Sequence, residues 1–247
     1  MISSSLGWHE LPYASLPFPL DGSGIVSARV TVPRRDGASH PALICSGVAA
    51  DNDVMRGEEC EMMGALAMPA VAQLRENALV LLPGTHTKHI RVRHGAIVDF
   101  RTYLTGELLD LLVQHSLLHH SVVMPDADNA GEAFAAGIAL AGEMTLSAAL
   151  FHIRAHHLLH DTSPAENGAM LNGILIGGEL HELRACYSTD LPLLLCAGPR
   201  HASWFAKGCR LLGLAERLRI VLPDDAALAA SRGHAIILDR ATKSSIT

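Results

Sequence analysis

Behind the apolar run ALVLL (78–82) the chain bends at Pro83-Gly84 and presents Thr85, His86, Thr87 and Lys88. A glycine lets backbone approach an anion closely, exposed amides point at it, and hydroxyls and an ammonium complete a cradle for phosphate. A polar turn between two strands also needs no ligand, and no G-x-x-x-x-G-K-[ST] loop occurs. A second group is DNDVMRGEECE (51–61), where carboxylates and one arginine precede a helix start. Asp53 and Glu58 there can cap the helix and gain from its dipole. The functional alternative is a general base, with Arg56 gripping a carboxylated substrate in two-pronged fashion. A third group is the pair of glycine turns LIGGEL (175–180), with Gly177 and Gly178, and LLLCAGPRHAS (193–203), with Gly198. The second turn can offer backbone to a flat ring or an anion at a helix N-terminus, or serve as an ordinary strand-to-helix connection. Finally, His152, His156 and His160 recur every four residues. On a helix they share one side and could hold a metal, or form the polar border of a stripe made by Leu146, Leu150 and Ile153.

The elements that must position these groups follow from periodicity. Residues 1–22 are irregular and anchored by Trp8 and Tyr13. Segments 24–33 and 41–49 read as strands, and 58–74 as a helix broken at Pro69. Segment 78–84 has the unbroken apolar character of a strand buried on both faces. From His89 the period becomes two, with Ile90, Val92, Val98 and Phe100 alternating with charged residues around His94-Gly95, which predicts a hairpin. A helix over 105–118 follows, with Thr105 at its cap and Glu107 in its first turn. Further helices are expected at 129–142, 144–160, 164–185, 201–214 and 224–238, and strands at 191–198 and 219–223. This is an α/β plan, with a hinge near Asn77.

Composition narrows the function. Of 247 residues 49% are apolar and only 4% aromatic, so the core must be built from Ala, Leu, Val and Ile. Net charge is −6 with scattered basic residues, which argues against nucleic acid as a partner. No apolar run is long enough to span a bilayer, and MISSSLGWHELPY lacks the layout of a signal peptide. Five widely spaced cysteines without C-x-x-C point to reduced thiols in a cytoplasmic protein.

Taken together, LLPGTHTKHIRVRHGAIVDFRTYLTGELLDLLVQHSLL, DVMRGEE upstream, LFHIRAHHLL and NGILIGGEL downstream, and GWHELPY near the start resemble the 2-dehydro-3-deoxygalactonokinase family. Its pattern reads roughly L-P-G-T-H-S-K-W, F-x-T-x-M-T-G-E and V-M-R-G-E-E-T, and the likeness runs from residue 1 to about 238. The resemblance implies a ribonuclease-H-like fold of the actin and sugar-kinase superfamily, with two lobes and ATP in the cleft. Residues 1–76 would be what is present of the first, substrate-side lobe, and 77–247 the second, nucleotide-side lobe. It implies ATP-dependent phosphorylation of 2-dehydro-3-deoxy-D-galactonate at the 6-hydroxyl, with magnesium, in galactonate breakdown; closure of the lobes would exclude water. Gly84, Thr85, His86, Thr87 and Lys88 match the second phosphate-binding turn, while Gly177, Gly178 and Gly198 fall at the nucleotide-side turns. Glu58 follows Gly57 at a separation from the phosphate turn similar to that of the base-bearing Gly-Asp of glycerol kinase. Glu58 is therefore the expected base, with Asp53 and Glu59 as fallbacks. Arg56, with Trp8 and Tyr13, is expected at the substrate.

The chain departs from the family pattern at Thr87 (serine in the family), His89 (tryptophan) and Cys60 (threonine), and MISSSLGW lacks a G-S-R. It also contains no apolar strand followed by D-x-G-T-[ST], the first phosphate loop of the family. On that likeness it looks like an N-terminally shortened kinase with an incomplete first lobe and weak or absent turnover. The alternative is a non-catalytic remnant that still binds nucleotide; a metal-binding helical protein using the histidines is a third reading. A homodimer is left open.

Overall fold

The structure, a computed structural model, describes residues 2–4, 7–9, 11–33 and 37–243, and side chains within 11–32 and 37–242. It divides into two compact units, one of Met1–Ala78, Ile90–Arg101 and Asp224–Thr247, the other of Leu79–His89 and Thr102–Pro223. In chain order the first stretch carries short strands β1 (Ile2–Ser4), β2 (Gly7–His9), β3 (Ala14–Ser15) and β4 (Phe18–Pro19). Strands β5 (Ser27–Pro33) and β6 (Ser39–Cys45) pair antiparallel. Then come β7 (Val48–Ala49), β8 (Val54–Met55) and helix α1 (Glu58–Leu66). Strand β7 pairs with β3 on one side and β8 on the other, which brings Tyr13 and the 53–59 segment into one neighbourhood.

Strands β9 (Asn77–Leu82), β10 (Thr87–Arg93) and β11 (Ala96–Tyr103) follow, with residues in both units. His94 and Gly95 take φ of 49° and 70° between β10 and β11, the left-handed conformation that a two-residue hairpin turn demands. The second unit continues with α2 (Thr105–His115), α3 (Gly131–Glu143), α4 (Leu146–His160), α5 (Pro164–Cys186), β12 (Leu193–Leu195), α6 (Pro199–Leu211) and β13 (Leu218–Ile220). Helix α7 (Pro223–Lys243) ends the described chain. The principal sheet has the order β13-β12-β9-β10-β11-β4, and β9, β12 and β13 run parallel. The fold is mixed α/β.

The second unit's core forms where the parallel strands meet helices. Leu79, Leu81, Leu193 and Leu195 pack with Phe134, Ile138, Ile176, Leu180, Trp204 and Phe205. Helices α3 and α5 approach so closely that a Cβ on Gly173 would lie 2.3 Å from the Phe134 carbonyl oxygen. Helix α5 starts at a capping box. Ser163 accepts from the Glu166 N–H, and the Glu166 carboxylate accepts from the Ser163 N–H.

Of segment 77–247, the pieces Ile90–Arg101 and Asp224–Thr247 cluster with the first unit. The hairpin tip is tied there by His94 N–H to Glu76 O and Gly95 N–H to Arg75 O, both 2.9 Å. Helix α7 is tied there by Arg240 to Asp21 at 2.8 Å, and by Arg232 to the Met68 sulfur at 3.1 Å. Two local expectations are corrected. Segment 175–180 is no turn but the interior of α5, where Gly177 lets the backbone of Ile138 and the methyl of Ala141 come close. Thr105 is the first residue of α2, and Leu104 occupies the cap position without a side-chain bond.

Candidate active site

In the second unit, the bend between β9 and β10 is fastened to the start of α2. The Glu107 N–H donates to Thr85 O at 2.9 Å, and His86 Nε2 meets Glu107 Oε2 at 2.7 Å. Gly106 lies against this bend; a Cβ there would stand 2.3 Å from Gly84 O. The clamp leaves Gly84, Thr85 and Thr87 on the wall of a cavity of about 190 Å³. Helix α2 adds Thr105, Gly106, Leu109 and Asp110, α5 adds Asn172 and Ile176, and α6 adds Arg200, His201, Trp204 and Phe205. The wall is thus hydroxyl-rich at the bend and mixed along α5 and α6, where Ile176, Trp204 and Phe205 stand beside Asn172, Arg200 and His201. Burial, and next the Arg200 charge, hold His201 below the usual imidazole range, with Asp110 opposing. At neutral pH His201 is an uncharged donor–acceptor beside a permanent cation.

The other expected phosphate-side groups lie as follows. His86 is exposed and engaged with Glu107. Lys88 is buried, and its Nζ donates to Thr102 Oγ1 at 2.6 Å. Gly198 is the cap residue of α6, followed by Pro199 in the first turn, so Arg200 and His201 sit where that helix's free N–H groups concentrate. Gly177 and Gly178 lie within α5, as corrected above. His89, which stands where the family pattern has tryptophan, is fully buried, 3.1 Å from Glu179, with its ring tilted against Tyr103 at a centroid distance of 4.6 Å.

In the first unit, Gly57 turns the chain with φ 108° immediately before α1. The bend folds two carboxylates back on the preceding backbone. Glu58 Oε2 accepts from the Arg56 N–H at 2.8 Å, and Glu59 Oε2 from the Gly57 N–H at 2.7 Å. Asp53 Oδ1 accepts from the Val54 N–H at 2.7 Å. The acids expected as caps therefore bind N–H groups outside the helix. Glu59 is 1% exposed, and burial raises its carboxyl above the ordinary value despite bonds from Gly57 and the Cys60 thiol. Arg56 lays its guanidinium 4.7 Å above the Tyr13 ring, and its Nε, Nη1 and Nη2 are shielded from water without a hydrogen-bond partner among the described residues. A desolvated guanidinium lacking an acceptor is unfavourable unless an anion serves it. Trp8 lies in β2, and its side chain is outside the described residues.

Thr105, Gly106, Asp110, Asn172, Arg200, His201 and Trp204 were not singled out as site residues from sequence. The traces were there in T-G-E after a strand, in two basic residues directly after Gly198-Pro199, and in one asparagine inside the apolar run MLNGILIG. The histidine row lies on α4 with ring centroids 5.7 and 4.6 Å apart. Burial, then His160 and His152, lower the central His156. No group of three side chains able to hold a metal occurs among the described residues. All five cysteines are free thiols, with Cys209 pushed by burial up to about 12. No described helix is long and apolar enough to cross a membrane.

The chain is similar to known proteins over most of its length. The chain is 31% identical over 216 residues to the 2-dehydro-3-deoxygalactonokinase of Escherichia coli (strain K12), covering 86% of this chain and 69% of that protein. It is 35% identical over 187 residues to a "Probable 2-dehydro-3-deoxygalactonokinase" of Rhizobium meliloti (strain 1021), covering 73% of this chain and 58% of that one. The crystal structure of a "putative 2-dehydro-3-deoxygalactonokinase protein" from Sinorhizobium meliloti superimposes with a TM-score of 0.72 at 30% identity, covering 91% of this chain and 74% of that one. The sequence model of the 2-keto-3-deoxy-galactonokinase family matches residues 1–232. The chain therefore belongs to the 2-keto-3-deoxy-galactonokinase family, whose named members are phosphotransferases with an alcohol group as acceptor.

Proposed function

We propose that this chain transfers the γ-phosphoryl group of ATP to the 6-hydroxyl of 2-dehydro-3-deoxy-D-galactonate, on a ribonuclease-H-like two-lobed fold of the sugar-kinase superfamily. The observation that supports the reading most is the cavity beside the Gly84–Thr87 bend, in which threonine hydroxyls, close backbone and a helix N-terminus carrying Arg200 meet. In this reading the amides and hydroxyls of Gly84, Thr85 and Thr87 take the phosphates. Lys88 contributes its charge from within β10, and His86 braces the bend through Glu107. Phosphoryl transfer gains little from covalent help, so alignment and charge neutralisation supply most of the rate.

The acceptor hydroxyl has a high pKa, and Glu58 takes its proton as attack proceeds, with Asp53 and Glu59 as the nearby alternatives. Arg56 binds the substrate carboxylate through its unpartnered N–H groups while Tyr13 supports the guanidinium face. Magnesium, if bound with the nucleotide, would supply charge neutralisation to the phosphates. Asp110 is the carboxylate in the cavity wall that would lie beside it.

Purified chain, ATP, magnesium and the sugar acid, followed by phosphorus NMR, test the proposal. The expected result is acid-dependent ATP consumption with phosphate on the 6-oxygen. ATP binding without transfer would instead favour a non-catalytic nucleotide-binding chain.

A further inference from the structure

Helix α5 buries two asparagines with opposite surroundings. Asn167 donates from Nδ2 to Ser121 O at 3.0 Å and meets His157 Nδ1 at 3.1 Å, so it ties the helix to its neighbours. Asn172 is 4% exposed, and no hydrogen bond reaches its carboxamide among the described residues. What it does face is the cavity beside the phosphate bend. Its amide atoms are not among the described polar atoms that are both shielded and unpartnered, so they stay open to the cavity, where a leucine or methionine would offer no polar group at all. The chain instead keeps a donor and an acceptor side by side at this point.

The neighbours define what such a pair would meet. Ile176, one turn further along α5, lines the same cavity, as do Met124, Trp204 and Phe205. Apolar and aromatic walls with a few polar readers make a slot for a flat ring; Asn172 is the polar group that α5 supplies, and Arg200 and His201 stand on α6. The hydroxyls of Thr85 and Thr87 belong to the phosphate end.

Resting on the kinase reading above, we propose that Asn172 determines nucleotide specificity: its carboxamide pairs with the adenine edge, donating to a ring nitrogen and accepting from the exocyclic amino group. Adenine offers a donor next to an acceptor, which a carboxamide matches in two-pronged fashion. Guanine offers two acceptors on the corresponding edge, so the carboxamide oxygen would face another oxygen. Asn172 therefore selects ATP over GTP.

Calorimetric titration of ATP, GTP and inorganic tripolyphosphate into the wild type, Asn172→Ala and Asn172→Leu decides the matter. Asn172→Leu keeps the branched shape of the side chain and favours the helix, should the alanine variant fold poorly. The wild type is expected to bind ATP at least about tenfold more tightly than GTP, and both variants to lose about tenfold or more for ATP. GTP and tripolyphosphate are expected to bind the variants as they bind the wild type, so the ATP-to-GTP ratio collapses. An unchanged ratio in variants of a wild type that binds ATP overturns the assignment of Asn172 and leaves the kinase reading intact. A wild type that takes up neither ATP nor tripolyphosphate overturns the kinase reading, and this assignment with it.

Discussion

Arg56 is the residue on which substrate choice turns. Its guanidinium rests on Tyr13, and its three nitrogens find no acceptor among the described residues. Arg56→Met keeps much of the packing and removes the charge. It is expected to weaken binding of the sugar acid by about 10- to 100-fold, leave ATP affinity alone and not lower the melting temperature. A melting point that falls together with ATP affinity would mark Arg56 as purely structural. Glu59 makes a separate prediction in pH. Its folded carboxyl is raised by burial above the ordinary 4.5, so between that value and its folded one the native state holds more proton than the unfolded chain. Stability from this group is present at low pH and is lost as pH rises through the folded value. Glu59→Gln keeps an acceptor for the Gly57 N–H and should flatten that part of the stability curve, read by thermal melts across pH. An undiminished slope in the variant would place the titration elsewhere.

At the scale of elements, α5 links fold and site, because one helix carries the packing seam toward α3 and the wall of the cavity. Gly173→Ala puts a methyl 2.3 Å from Phe134 O, and neither backbone can retreat without opening the core. A loss of about 1–3 kcal/mol in denaturant unfolding is expected, and an unchanged midpoint would mean the seam is looser than drawn. The start of α5 was legible because Ser163, Pro164 and Glu166 spell a capping box. The sequence predicts a helix over 164–185 as well, yet Gly177-Gly178 within it also reads as a turn, because a Gly-Gly pair punctuates loops locally, whereas here Gly177 is selected by a neighbouring helix remote in sequence. The hairpin at His94-Gly95 and the buried run of β9 were legible for the opposite reason: period and turn chemistry are local. The same distinction holds at the candidate site. The bend at Gly84–Lys88 and the Arg56–Glu59 segment are contiguous and stood out, while Asn172, Arg200 and Trp204 reach the cavity only through tertiary packing.

At the scale of the whole molecule, the chain is built of two units that exchange segments along the sequence, so no single boundary near residue 77 separates them. Strands β9, β10 and β11 divide their residues between the units, and α7 packs with the first. Family membership fixes the class of chemistry. The physical claim beneath the functional reading is narrower: the bend after β9 is held open by α2 so that a triphosphate can lie against it. Titrating ATP into the intact chain and into Gly106→Ala, with melting temperatures recorded for both, tests that claim most directly. Any side chain at 106 must displace the Gly84-Thr85 backbone. The account predicts one ATP site in the wild type, a loss of affinity of about tenfold or more in the variant, and a variant that still melts cooperatively. Equal ATP affinity in the two proteins, or none in the wild type, would contradict it.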